Sequence, residues 1–152
     1  KANGAKVERT YEKPGVHAET LKVTDREGRV DYDFAVVQVL DRANPNQLPP
    51  TIHAAFMPTS GIQPGQKVTF KVRTFRTTHG EETWDFGDGS PTVTAHSDGT
   101  VKALAKDGYA VTTHQFEKPG HYIVRVERSN PHGAKATAKL HVVVEDSSSK
   151  TD

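Results

Sequence analysis

The chain has no cysteine among its 152 residues, which removes disulfide frameworks, thiolate zinc sites and cysteine nucleophiles together. That absence assigns no compartment. Long hydrophobic runs are missing as well: nothing approaches the ~18 apolar residues a membrane helix needs, and no signal-peptide core opens the chain, so no membrane insertion is expected. There is no excess of either charge, with 20 Lys+Arg against 19 Asp+Glu. No basic block of the kind that tracks phosphates is present, so nucleic acid is not expected as a partner. Hydrophobic residues make up only 34%, enough for modest cores in a soluble protein. The first residue is Lys1 rather than Met, and the expectation is a fragment or a processed product.

Helix signals are also scarce, and what is present reads as strands. Apolar residues alternate at period two through His17–Val23, Asp31–Leu40, Lys67–Phe75, Tyr122–Arg128 and Lys135–Glu145, with turn residues at 8–12-residue spacing. Shorter strands are expected at Lys6–Tyr11, Ile52–Met57, Thr83–Phe86, Thr92–His96, Thr100–Leu104 and Tyr109–Phe116, with Ser97-Asp98-Gly99 as a hairpin turn. Asp41–Pro50 holds three prolines and two asparagines in ten residues, which disfavours helix and strand alike and marks a stiff linker.

The chain is organised around Trp84-Asp85-Phe86-Gly87-Asp88-Gly89-Ser90. Side-chain alternation puts Trp84 and Phe86 on one face and Asp85 on the other. Gly87, Gly89 and Pro91 then stop the strand, and the Asp88 carboxylate is placed to accept hydrogen bonds from N–H groups just ahead of it. Together with Phe116-Glu117-Lys118-Pro119-Gly120-His121-Tyr122, this stretch resembles the PKD domain, over roughly Pro50–Glu145. The resemblance implies an all-β, immunoglobulin-like β-sandwich of a kind found in bacterial secreted and surface proteins, commonly beside a catalytic domain and itself non-catalytic. Its structural motif residues would be Trp84, Phe86, Gly87, Asp88, Gly89, Pro119, Gly120 and Tyr122.

An internal repeat crosses the linker. Glu12-Lys13-Pro14-Gly15 recurs 105 residues on as Glu117-Lys118-Pro119-Gly120. The same offset pairs Tyr11 with Phe116, His17 with Tyr122, Leu21 with Val126, Asp25 with Asn130, Gly28 with Gly133, and Val37 and Val39 with Val142 and Val144. Residues 1–40 therefore read as the last strands of a partial second sandwich, 41–50 as the linker, 51–146 as a complete module and 147–152 as a disordered polar tail. Leu21, Val23, Val37 and Val39 would then form an open face that must be covered. Because the linker is short and stiff, pairing with another chain, as a homo-oligomer through residues 1–40, is favoured over folding back.

No arrangement of residues points to catalysis. A G-x-S-x-G elbow is missing, and the carboxylates nearest the motif flank one turn rather than a cleft. Asp85 and Asp88 are candidate calcium ligands, but the D-x-[DN]-x-[DN]-G spacing and the distal Glu are missing, so no metal or cofactor is expected. His53, His79, His96, His114, His121, His132 and His141 are scattered without HxH or HExxH spacing. Phe75, Tyr109, Tyr32, Phe34 and Phe56 could be exposed as a sugar platform or could pack inside. The expectation is a non-catalytic extracellular or cell-surface module, a spacer that contacts neighbouring domains, protein or polysaccharide. The alternatives are a carbohydrate-binding module and a structural subunit assembling by strand pairing.

Overall fold

A computed structural model describes residues 1–103 and 105–146. Two sheets face each other. The first runs in the order β2 (Val30–Val39), β1 (Gly15–Thr24), β9 (Lys135–Val144), β8 (Gly120–Ser129), β5 (Glu82–Asp85) and β6 (Val93–Ala95). The second holds β3 (Thr51–Met57), β4 (Lys67–Phe75) and β7 (Ala110–Gln115). Among the described strands pairing is antiparallel except where β1 runs parallel to the start of β9, through Gly15↔Lys135 and Val16↔Ala136, and an isolated parallel bridge joins Ile62 to Val144. The result is an all-β sandwich.

The core follows the alternation of the strands. From the first sheet come Trp84, Val124, Val126, Ala136, Val142 and Val144, and from the second Ile52, Val68, Phe70 and Val72; Phe86 and Phe116, just past strand ends, join the same cluster. The Trp84 indole is fully buried, its ring 5.4 Å from that of Phe70. Aromatic pairs at this spacing add to the area they bury, so Trp84 joins the two sheets.

The repeat seen in the sequence is a repeat of backbone geometry. β1–β2 and β8–β9 have equal strand lengths and equal register, Gly15↔Val39 in one and Gly120↔Val144 in the other. In both turns the first residue's side chain caps two N–H groups: Asp25 Oδ1 those of Glu27 and Arg29, Asn130 Oδ1 those of His132 and Ala134. Gly28 and Gly133 take φ of 82° and 80°, the left-handed region where glycine carries no Cβ penalty. At the opposite end, the Tyr122 hydroxyl donates to the Lys118 carbonyl at 2.7 Å, and His17 Nε2 contacts the Lys13 carbonyl at 3.1 Å. Tyr122 lies 4.4 Å from the Phe116 ring and His17 lies 4.8 Å from that of Tyr11.

Three expectations are corrected. Lys6–Tyr11 is irregular, so residues 1–40 contribute two strands. The hairpin folds back, where an expected stiff linker had favoured pairing with another chain: β1 pairs with the start of β9, and the proline-stiffened linker aims it there, with Pro49 and Pro50 buried. The third concerns Ser97-Asp98-Gly99, which does not turn a hairpin. Asp98 Oδ1 accepts from Thr100 N–H and Oγ1 instead. The loop wraps the buried Arg73 guanidinium, which donates to the carbonyls of Asp98, Val101 and Lys102. A buried cation without a carboxylate needs such acceptors, and supplying them takes the loop out of the strand ladder. A 3-10 turn at Lys106–Gly108 closes it. Leu104 and the expected tail at 147–152 lie outside the described residues.

Candidate functional site

Gly87 is required in the WDFGDGS turn, because a Cβ there would lie 2.8 Å from the Ile123 carbonyl oxygen, at φ +75°. Asp85 and Asp88 serve separate turns. Asp85 Oδ1 accepts from the Gly87 N–H at 3.0 Å and its Oδ2 from Arg125 at 3.3 Å. Asp88 Oδ1 accepts from the Ser90 N–H and hydroxyl at 3.0 and 2.6 Å, and its Oδ2 meets His114 Nε2 at 2.6 Å. Partial burial by itself would raise the Asp88 carboxyl; the hydrogen bonds from Ser90 and His114 outweigh it and bring the pKa down to about 2. His114 lies flat on Phe86, centroids 3.9 Å apart. The candidate calcium ligands thus hold protein donors, and among the described residues no group of three or more His, Asp or Glu side chains converges on a point where a metal could sit.

Beside Trp84 lies a buried ion pair that the sequence reading missed. Arg128 Nη1 donates to Glu82 Oε1 at 2.7 Å, with both side chains fully buried. Glu82 also accepts from the Thr74 hydroxyl, the Ser97 hydroxyl and the Ser97 N–H. Burial pushes the Glu82 carboxyl up, yet these donors hold it below the ordinary glutamate value. The signal was present in the alternation: Glu82 shares a face with Trp84, and Arg128 with Val124 and Val126, so both charges were due to point inward.

The N-terminal hairpin meets the sandwich with the face opposite to the one its replica buries. Val16 and Ala18 are buried, and Lys139 Nζ donates to Thr20 Oγ1 at 2.8 Å. Tyr32 sits 4.9 Å from the His141 ring and 6.2 Å from that of His121. The two histidines, on neighbouring strands, are themselves in contact, His121 Nδ1 to His141 Nε2 at 2.9 Å. Burial, and then His121, lower the His141 pKa, with Asp31 pulling the other way. The opposite face is left open: Leu21 is 58% and Val23 54% exposed, whereas Val126 and Arg128 at the matching positions are buried.

A cleft of about 580 Å³ opens between the linker at Asn46–Leu48, the β4–β5 loop at Arg76–His79 and the β8–β9 turn at Asn130–His132. A smaller one of about 240 Å³ adjoins it through Gln47, Asn130 and His132. No Phe, Tyr or Trp side chain lines either, and none of the eleven Phe, Tyr and Trp residues is exposed; Phe75, Tyr109, Tyr32, Phe34 and Phe56 are all half-buried.

No curated protein matches the chain. Among solved structures it is similar to the PKD domain of an M14-like peptidase from Thermoplasmatales archaeon SCGC AB-540-F20, with 19% identity and a TM-score of 0.48, over 64% of this chain and 96% of that one. The PKD domain profile matches residues 53–144, the span bounded by β3 and β9 that holds the Trp84 core, the Asp88 turn and the Tyr122 corner. The chain belongs to the PKD domain family.

Proposed function

We propose that the chain is a non-catalytic spacer from a larger secreted or cell-surface protein, in which successive PKD-type units are joined edge to edge into a stiff array. PKD domains are immunoglobulin-like modules, generally non-catalytic and commonly extracellular. The observation that carries the proposal is the replica at an offset of 105 residues: a hairpin with the register, turn and corner of β8–β9 is docked on β9 of the complete module. The parallel β1–β9 contact, the Tyr32–His141 contact and the buried prolines tie hairpin, linker and sandwich together, so neighbouring domains are held at a set distance and angle. The test is residual dipolar couplings on the full chain. One alignment tensor should fit the amides of β1–β2 and of β3–β9; two independent tensors would overturn the spacer reading.

A second reading rests on the exposed Leu21 and Val23. Apolar residues alternating on an open two-stranded face are suited to covering by another polypeptide, which makes the hairpin an assembly surface for a neighbouring domain or a second copy. Light scattering at micromolar to millimolar concentration checks it. A monomer throughout excludes the second copy.

A further inference from the structure

We propose that the cleft between the linker and the β8–β9 turn binds the carboxylate of an acidic, uronate-type oligosaccharide, with Arg76 as the anion contact. Arg76 is a non-glycine residue at φ +64°, a conformation that costs energy and persists where surrounding structure imposes it. Hydrogen bonds hold that surrounding structure. The loop that Arg76 opens is tied down by His79 N–H donating to Thr77 Oγ1, and by the His79 carbonyl accepting from the buried Arg128. The guanidinium so placed is exposed and makes no hydrogen bond or ion pair with the described residues, and the same holds for the side chains of His79 and His132 across the cleft.

The lining suits an anion. No Asp or Glu borders the larger cleft. The smaller one adds Lys13 and a single acid, Asp41, whose carboxylate already accepts from Ala43 N–H and the Asn44 amide. An unpaired guanidinium offers the planar fork that carboxylates take up two bonds at a time. The neutral lining fits a sugar better than a peptide. Asn46, Gln47 and Thr78 offer donors and acceptors for ring hydroxyls, Leu48 and Pro131 offer apolar surface, and none of the three lining segments is a strand that could pair with an extended chain.

The experiment is a titration of the isotope-labelled full chain with digalacturonate, its neutral counterpart galactobiose, and a tetraglutamate peptide, read from amide shifts. Digalacturonate should shift Arg76, Thr78 and His132 saturably and bind at least ~10-fold more tightly than galactobiose, as expected for one charge-assisted anion contact. Arg76→Gly keeps the left-handed backbone without a Cβ, and Arg76→Asn tolerates it. Both should retain the remaining spectrum and lose at least ~10-fold in affinity. Absence of shifts at millimolar digalacturonate, equal binding of galactobiose, or unchanged binding by both variants would overturn the proposal. Tighter binding of tetraglutamate would overturn the saccharide assignment in favour of an acidic peptide.

Discussion

The two hairpins share one backbone and differ in what they bury. β8–β9 turns Val124, Val126, Val142 and Val144 into the core; at the matching places β1–β2 has Glu19 and Leu21, half-buried and exposed, and Val37 and Val39, only half-buried. β1–β2 is buried instead through Val16 and Ala18, on the opposite face. Register, turn and corner are set locally, by Asp25 or Asn130, by the positive-φ glycines and by the residue at His17 or Tyr122. Burial is set by whichever partner is at hand. A hairpin can therefore keep its shape while exchanging its buried face.

The sharpest break in this comparison is at Arg128, whose counterpart in the first hairpin is Val23. Arg128→Val should leave Glu82 buried without its cation and cost about 3–5 kcal/mol, read as a fall in urea midpoint, while Val23→Ala on the open face should stay within ~0.5 kcal/mol. Trp84→Ala should cost a similar ~3–5 kcal/mol, a large part of the ~5–15 kcal/mol that holds a domain together.

The next effect separates the motif turn from the hairpins. Asp88 titrates at about 2 in the folded chain against 3.8 as its ordinary value. Because the folded value is the lower one, the stabilisation is fully present above pH ~4 and is lost as pH falls through about 2; solvent screening at this exposed turn holds it to about 1 kcal/mol or less. Asp88→Asn should lower stability at pH 6 by roughly that amount and flatten its pH dependence between ~4 and ~2. An unchanged acid limb would show that His114 and Ser90 contribute little.

Gly15→Ala tests the docking alone. A Cβ there would stand 2.6 Å from the Lys135 carbonyl oxygen, whereas at the matching Gly120 the nearest neighbour is the Tyr122 ring at 3.8 Å. The substitution should release β1 from β9 and remove the Tyr32–His141 contact from nuclear Overhauser spectra, leaving the sandwich folded. Gly120→Ala, with φ 152° and only ordinary contact with the Tyr122 ring, should disturb only its own corner. The smallest difference concerns the corners: Tyr122→Phe removes the bond to Lys118 O and should cost about 0.5–1.5 kcal/mol.

Much of this was legible before any coordinates. Trp84, Phe86 and the glycines announce a core strand ending in a turn because alternation and φ preference act within a few residues. The repeat was readable from Glu-Lys-Pro-Gly because copied geometry needs copied turn residues. Long-range pairings were not readable. Nothing near His114 says that it reaches Asp88 across the sandwich, and nothing in Ser97-Asp98-Gly99 says that Arg73 will claim the carbonyls on either side. The fold-back of residues 1–40 was misjudged because linker stiffness was taken as a barrier to contact, when Pro49 and Pro50 are buried and direct it.

The central claim, that the N-terminal hairpin is a docked part of one rigid unit, is tested most directly by amide hydrogen exchange on the full chain at neutral pH. The account predicts that ladder amides of β1–β2 are protected well above intrinsic rates, and that Gly15→Ala lowers protection there while β8–β9 keeps its own. Near-intrinsic exchange throughout β1–β2 in the unaltered chain, beside a protected β8–β9, would contradict it.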